Sequence, residues 1–282
     1  MHLLALSQGE YGHIILQDIA LICLIGVILA GLIHGWLRKA SPNLQWNQIG
    51  NVSTTGLGQA DIIGCLLVTL PFSLSVIAPY QDPSNIELTP LALIANFAIL
   101  GLMAGIVFLI YQRRGLLPEA LGLHPKHPVQ VITWTVVAYI VFFILSIAMS
   151  QLGLEYWLSE RLGEQQNQHI VNEMMATQES QKRLIMILGA CVIAPIAEEV
   201  IFRGYLYPVV KRYTEPVVAA IFTGVIFGAI HGQIWAVIPL SLFGILLAVL
   251  YEKSGSIWAC ILCHGMFNTI NVFFMLTMGD KL

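Results

Sequence analysis

Two adjacent glutamates, Glu198 and Glu199, stand in the run Cys191-Val192-Ile193-Ala194-Pro195-Ile196-Ala197-Glu198-Glu199-Val200-Ile201-Phe202-Arg203, with apolar residues on both sides. Ionisable groups inside a membrane-spanning segment cost about 2.5–3.5 kcal/mol each on insertion scales, which marks a retained one as a functional candidate. Glu199 and Arg203 lie four residues apart with the acid first, the favourable order for an ion pair on one helix face. Glu198 is turned about 100° from Glu199 around the same helix. It is therefore the carboxylate left free to face a cavity. Further along, Phe227 precedes His231 by one helical turn and His264 precedes Asn268 by another, so each pair projects from one helix face.

A carboxylate, two imidazoles and an amide around a wetted cavity suit hydrolysis of an amide bond. Glu198 would act as general base on a water molecule, and His231 would hold and polarise that water. His264 and Asn268 would donate hydrogen bonds to the tetrahedral oxyanion, a role worth about 2.7–4 kcal/mol per donor. No serine or cysteine nucleophile is needed, and Cys191, the nearest thiol, has no activating histidine along its own helix. Two histidines and a glutamate are also the ligands of some hydrolytic zinc sites, which makes Glu198, His231 and His264 the set that zinc would use. The chain lacks the His-Glu-x-x-His pairing of ligands on one helix. A glutamate base with an oxyanion pocket needs no ion, so the favoured expectation is a reaction without a cofactor. Cys260-x-x-Cys263-His264 matches a covalent haem pattern, but haem attachment needs an accessible segment and these residues fall in an apolar span.

Positioning such groups falls to membrane helices. The chain is 57% hydrophobic and 10% charged, with a mean hydropathy of +0.79, too little polar surface for a soluble protein of this length. Crossing about 30 Å of hydrocarbon takes roughly 20 apolar residues. Windows of that kind fall at residues 14–36, 61–80, 89–111, 129–150, 184–207, 216–233, 234–252 and 256–278. The expected fold is all-α, a polytopic membrane bundle of about eight helices. Arg38 and Lys39, then Arg113, Arg114 and Lys126, then Lys211 and Arg212, and finally Lys253 fall in alternate loops. Positive charge collects on the cytoplasmic side, which predicts both termini outside. Lys182 and Arg183 dissent, at the outer mouth of span five.

Span one lacks a basic region and a cleavage site, and reads as a retained helix. Residues 1–150 read as N-terminal membrane helices, 151–183 as a polar extramembrane loop or lid helix carrying Glu155, Glu160, Glu164, Glu173 and Glu179, and 184–282 as the catalytic core. Cys23, Cys65, Cys191, Cys260 and Cys263 all fall within spans, where a thiol packs as a small hydrophobe. The net charge of −3 and the absence of a basic stripe argue against nucleic acid as a partner. His2, His13, His34, His124, His127 and His169 lie at termini, span ends or loops, with no polar partner at helical spacing that suggests ligation.

Taken at ~1.5 Å per helical residue, Glu198 lies roughly 20 Å from the Lys211 loop, His231 roughly 22 Å beyond Pro216 and His264 roughly 16 Å beyond Lys253. They can meet near the midplane if helix five runs on to Lys211. If it stops at Gly204 or Pro208, Glu198 is too shallow to reach His231.

The order Glu198-Glu199-x-x-x-Arg203, Phe227-x-x-x-His231, His264-x-x-x-Asn268 resembles the three signature motifs of the CAAX protease and bacteriocin-processing (CPBP, or Abi) family of intramembrane endopeptidases, over about residues 184–272. The resemblance implies a helical membrane fold and proteolysis by the residues matching Glu198, His231, His264 and Asn268, with Glu199, Arg203 and Phe227 in support. It also implies a peptide or protein substrate at the membrane, lipidated in the CAAX-processing relatives, and, for a bacterial chain, location in the inner membrane. Family members have been called metalloproteases. Two other classes compete: a non-catalytic bacteriocin-immunity or scaffold protein, and a proton-coupled transporter, since intramembrane Glu and His also serve proton relays.

Overall fold

The computed structural model describes residues 25–26, 28–41, 50–77, 88–125, 127–153, 169–231 and 234–278. The expectations for Cys23, His2, His13, Lys126, Glu155, Glu160, Glu164 and the start of span one fall outside these residues.

Among the described residues all regular structure is helical. In chain order the helices are α1 (28–40), α2 (Gln59–Ile77), α3 (Pro90–Arg113), α4 (Leu117–Leu121), α5 (Pro128–Gln151), α6 (His169–Ala176), α7 (Ser180–Tyr213), α8 (Pro216–Ala229), α9 (Ile234–Ser254) and α10 (Ile257–Met278). Proline opens α3, α5 and α8, where its missing N–H costs nothing and its fixed φ suits the first turn. Thr89 caps α3 by accepting from the Ala92 N–H at 3.2 Å.

Among the described residues five helices are long and apolar enough to cross a membrane: α3, α5, α7, α9 from Trp235, and α10. Gln59–Phe72 and Pro216–Ala229 are apolar but shorter. The windows at 61–80 and 216–233 therefore contain helices, the second ending at Ala229 rather than running through. The outward faces of α3 and α5 are greasy; Leu91 is 76% exposed and Val129 75%. That is the reverse of a soluble protein, which rarely shows apolar patches of such extent. The chain is a helical membrane protein.

Helix α7 runs without a break from Ser180 to Tyr213, so it extends past Lys211 rather than stopping at Gly204 or Pro208. It contains two wider π turns, Gly189–Ile193 and Phe202–Leu206, with the α-helical stretch Ala194–Ile201 between them. In the first, the Ala194 N–H reaches Gly189 O, and in the second the Tyr207 N–H reaches Phe202 O. Pro195 and Pro208 come immediately after. A helical proline has no N–H and crowds the carbonyl four residues back, and a widened turn is one way to relieve that crowding.

The core lies where α5, α7, α8, α9 and α10 meet. Phe142 of α5 packs on Phe243 of α9 at 4.7 Å between ring centroids and on Phe267 of α10 at 5.3 Å. Helices α8 and α9 form a close antiparallel pair. A Cβ on Gly228 would sit 2.5 Å from Val237 O and 2.8 Å from Ser241 N, and one on Gly224 2.7 Å from Ile245 N. Small residues let membrane helices approach to backbone contact. Gly228→Ala is expected to force the pair apart, costing about 1–3 kcal/mol as overpacking, and to displace His231 one turn on. A thermal midpoint equal to that of the unaltered protein would contradict this.

At one end of the bundle the basic helix ends gather. Lys211 Nζ reaches Glu252 Oε1 at 2.5 Å and Val52 O at 2.8 Å, Arg114 pairs with Asp61 at 2.8 Å, and Arg38 with Glu215 at 3.0 Å. Toward the other end Lys182 and Arg183, the dissenters of the charge pattern, lie in the first turn of α7. Lys182 pairs with Glu173 of α6, and Arg183 donates to Thr177 O. Residues 154–168 of the polar stretch lie outside the described region.

Candidate active site

Three helices bring the polar residues of the core together. Arg203 Nη1 donates to Glu199 Oε1 at 2.9 Å along α7, the one-turn pair read from the spacing. The same oxygen accepts from His264 Nδ1 of α10 at 2.8 Å. Arg203 Nη2 donates to Gly244 O of α9 at 3.0 Å. Glu199 is fully buried and Arg203 1% exposed. The interior charge of Glu199 is met by a guanidinium and an imidazole, as a buried ion must be. Glu199 Oε2 is also buried and has no hydrogen-bond partner.

Glu198 sits differently. Its side chain is 13% exposed, and its Oε2 lies 3.9 Å from Nε2 of His264. The His264 ring thus stands between the two neighbouring carboxylates, one nitrogen bonded to Glu199 and the other facing Glu198. Spacing along α7 had suggested a self-sufficient Glu199–Arg203 pair; the third member, His264, comes from 65 residues away and left no local signal.

His231 lies just past the end of α8. Its Nδ1 lies 2.7 Å from Phe227 O. A carbonyl only accepts, so Nδ1 carries a proton, and in the neutral ring Nε2 holds a lone pair. Among the described residues the imidazole within ion-pair range of Glu198 is that of His264. What joins the two imidazoles is Phe227: its ring packs on His231 at 5.0 Å and on His264 at 5.6 Å between centroids. The Arg203 guanidinium lies 4.6 Å from the Phe227 centroid, a cation–π contact. Phe227 itself is fully buried.

Asn268 is half-buried one turn beyond His264, and its amide nitrogen donates to Ala190 O of α7 at 2.8 Å. The amide has two N–H groups, so this bond takes one. Cys260 and Cys263 are buried thiols, in keeping with packing rather than haem attachment. Sequence reading also missed His34, whose Nδ1 meets Glu215 Oε2 at 2.5 Å across 181 residues.

Among the described residues no three of His, Cys, Asp and Glu converge closely enough to hold a metal ion. Glu198, His231 and His264 are not drawn together as such a ligand set. The residues present do not fit a protein-held zinc, and no chemical step is routed through one.

Beside these groups, an apolar groove of about 340 Å3 runs between α7 and α10, with Cys191, Pro195 and Ile196 on one wall and Ile261, Gly265 and Met266 on the other. Val192, Ile196, Leu262 and Met266 are exposed on it, so it opens on the lipid-facing side of the two helices that carry Glu198, His264 and Asn268.

The family comparison falls on this part of the chain. Residues 180–270 match the family model described as type II CAAX prenyl endopeptidase Rce1-like. A Bacillus subtilis (strain 168) protein named "Putative membrane peptidase YdiL" is 28% identical over 136 residues, 48% of this chain and 54% of that protein. "UPF0177 protein YajF" of Lactococcus lactis subsp. lactis (strain IL1403) is 26% identical over 152 residues, 52% of this chain and 69% of that protein. The match thus spans about half the length of the Bacillus relative. No solved structure matches the chain significantly. The stretch that supplies Glu198, Glu199, Arg203, His231, His264 and Asn268 is therefore similar to the type II CAAX prenyl endopeptidase Rce1-like family, within a membrane-embedded bundle of helices.

Proposed function

We propose that the protein is an intramembrane endopeptidase that hydrolyses a peptide bond of a membrane-associated, CAAX-type or otherwise lipidated, substrate with water activated by Glu198. The observation that carries this reading is the contrast between the two adjacent acids. Glu199 is buried and neutralised by Arg203 and His264, whereas Glu198 is partly exposed with an imidazole 3.9 Å away.

In the proposed reaction the Glu198 carboxylate takes a proton from water as the oxygen attacks the scissile carbonyl carbon. His231 presents an Nε2 lone pair able to accept from that water. The developing oxyanion is met by His264 Nε2 and by the second N–H of Asn268. Donation from Nε2 requires the doubly protonated ring, whose charge faces Glu198 and Glu199. The proton held by Glu198 then passes to the leaving amine as the C–N bond breaks. No cofactor enters these steps. The basic charge at these helix ends supports an orientation with that side of the bundle in the cytoplasm, both termini outside and, in a bacterium, the chain in the inner membrane.

The test is substrate capture. Full-length Glu198→Gln protein, expressed in membranes, is expected to retain a protein or peptide that the unaltered enzyme in proteoliposomes then cleaves at one bond. If the captured molecules remain intact with the unaltered enzyme, and ion flux in the same vesicles depends on Glu198, the transporter reading replaces this one.

A further inference from the structure

At both widened turns of α7 a carbonyl loses its usual helical donor, one to the turn itself and one to the proline that follows it. The normal donor to Gly204 O would be the N–H of residue 208, which is a proline and has none. Ala190 O loses the Ala194 N–H, which turns to Gly189 O instead, and the next residue along is Pro195. In a bilayer no water replaces such donors, and each unsatisfied group costs several kcal/mol. In each turn a side chain from another helix takes the donor's place. Asn268 of α10 serves Ala190 O at 2.8 Å, and Tyr111 of α3 serves Gly204 O at 2.9 Å.

The second turn contains Arg203, which holds Glu199 and, through it, His264. A widened turn inserts one extra residue, which rotates the helix before it by about 100° relative to the helix after it. The state of that turn therefore decides where Arg203 and Glu199 point. Tyr111 is 1% exposed and packs edge-on against Tyr205 at 5.9 Å. Tyr205 in turn donates to Asp61 Oδ1 of α2 at 2.9 Å.

We infer that Tyr111, on a helix outside the family-matched stretch, is a positioning residue for the hydrolytic site: its hydroxyl anchors the carbonyl of Gly204, the residue after Arg203, and so fixes the turn that aims Arg203 at Glu199 and His264. This rests on the endopeptidase reading above. The N-terminal helices then do more than shield the core from lipid; one of them sets the geometry of the proposed site.

The experiment compares full-length Tyr111→Phe and Tyr205→Phe in proteoliposomes, per mole of folded protein. Each removes one hydroxyl from the same buried cluster, and both are expected to lower the thermal midpoint by similar amounts. Tyr111→Phe is expected to lower kcat roughly tenfold with KM within about twofold, a loss of transition-state alignment rather than of binding; Tyr205→Phe is expected to keep kcat within about threefold of the unaltered enzyme. In combination with Arg203→Lys, the Tyr111→Phe loss should fall well short of multiplying, because residues acting through one another are not additive. Equal kcat losses in the two phenylalanine variants, or a Tyr111→Phe loss that multiplies fully with that of Arg203→Lys, overturns the inference. Unimpaired cleavage by Glu198→Gln removes the endopeptidase mechanism instead, so the two failures are distinguishable.

Discussion

Glu198→Gln is expected to reduce cleavage by about 10³-fold or more while leaving the protein folded. General-base catalysis contributes roughly 10²–10⁴-fold, and an amide of the same shape cannot take the proton. The side chain is partly exposed and lies beyond hydrogen-bond distance of His264, so its loss breaks no buried ion pair. Its stability should stay within about 0.5 kcal/mol of the unaltered protein, as for substitutions away from buried networks. Cleavage rates in proteoliposomes and thermal midpoints in detergent, measured on one preparation, separate the two effects. A variant that still cuts at the original rate assigns the base to another group.

Arg203→Met should behave in the opposite way, with the fold failing first. Removing the guanidinium deletes the bonds to Glu199 Oε1 and Gly244 O and the contact with Phe227. Glu199 keeps its bond to His264, but its fully buried charge loses its permanent counter-charge. Breaking one side of a buried ion pair costs about 3–5 kcal/mol, a large share of an ordinary stability of about 5–15 kcal/mol. The double change Glu199→Gln with Arg203→Met removes both charges and is expected to recover most of that loss, because the penalty comes from the stranded carboxylate. Proteolysis should remain impaired in the double variant, since His264 no longer has a carboxylate to orient it. A single variant as stable as the double one would show that the pair does not carry this charge balance.

The two expectations divide the adjacent acids by role. In the proposed reaction Glu198 carries chemistry and little stability, whereas Glu199 carries stability and holds a ring that the chemistry would use. Neighbours in sequence can differ so sharply because one helical step of about 100° turns one inward against Arg203 and His264 and the other toward the partly open space beside His264.

Composition and local spacing alone determined that this chain is a bundle of membrane helices, that Glu199 and Arg203 form a pair, and that His264 and Asn268 share a helix face. Those properties have a period: apolar windows long enough to cross a bilayer, and side chains one turn apart. Pro195 and Pro208 also stood in the sequence as signals of disturbed helical turns, although how the disturbance would resolve was not written there. Only the tertiary structure decided that His264 reaches Glu199, that Asn268 and Tyr111 reach the carbonyls of Ala190 and Gly204, and that His34 meets Glu215. Each of these bonds joins helices far apart in the chain. A hydrogen bond between helices depends on their crossing, rotation and depth, set by packing such as the glycine contact of α8 with α9, and no repeat within one helix encodes them.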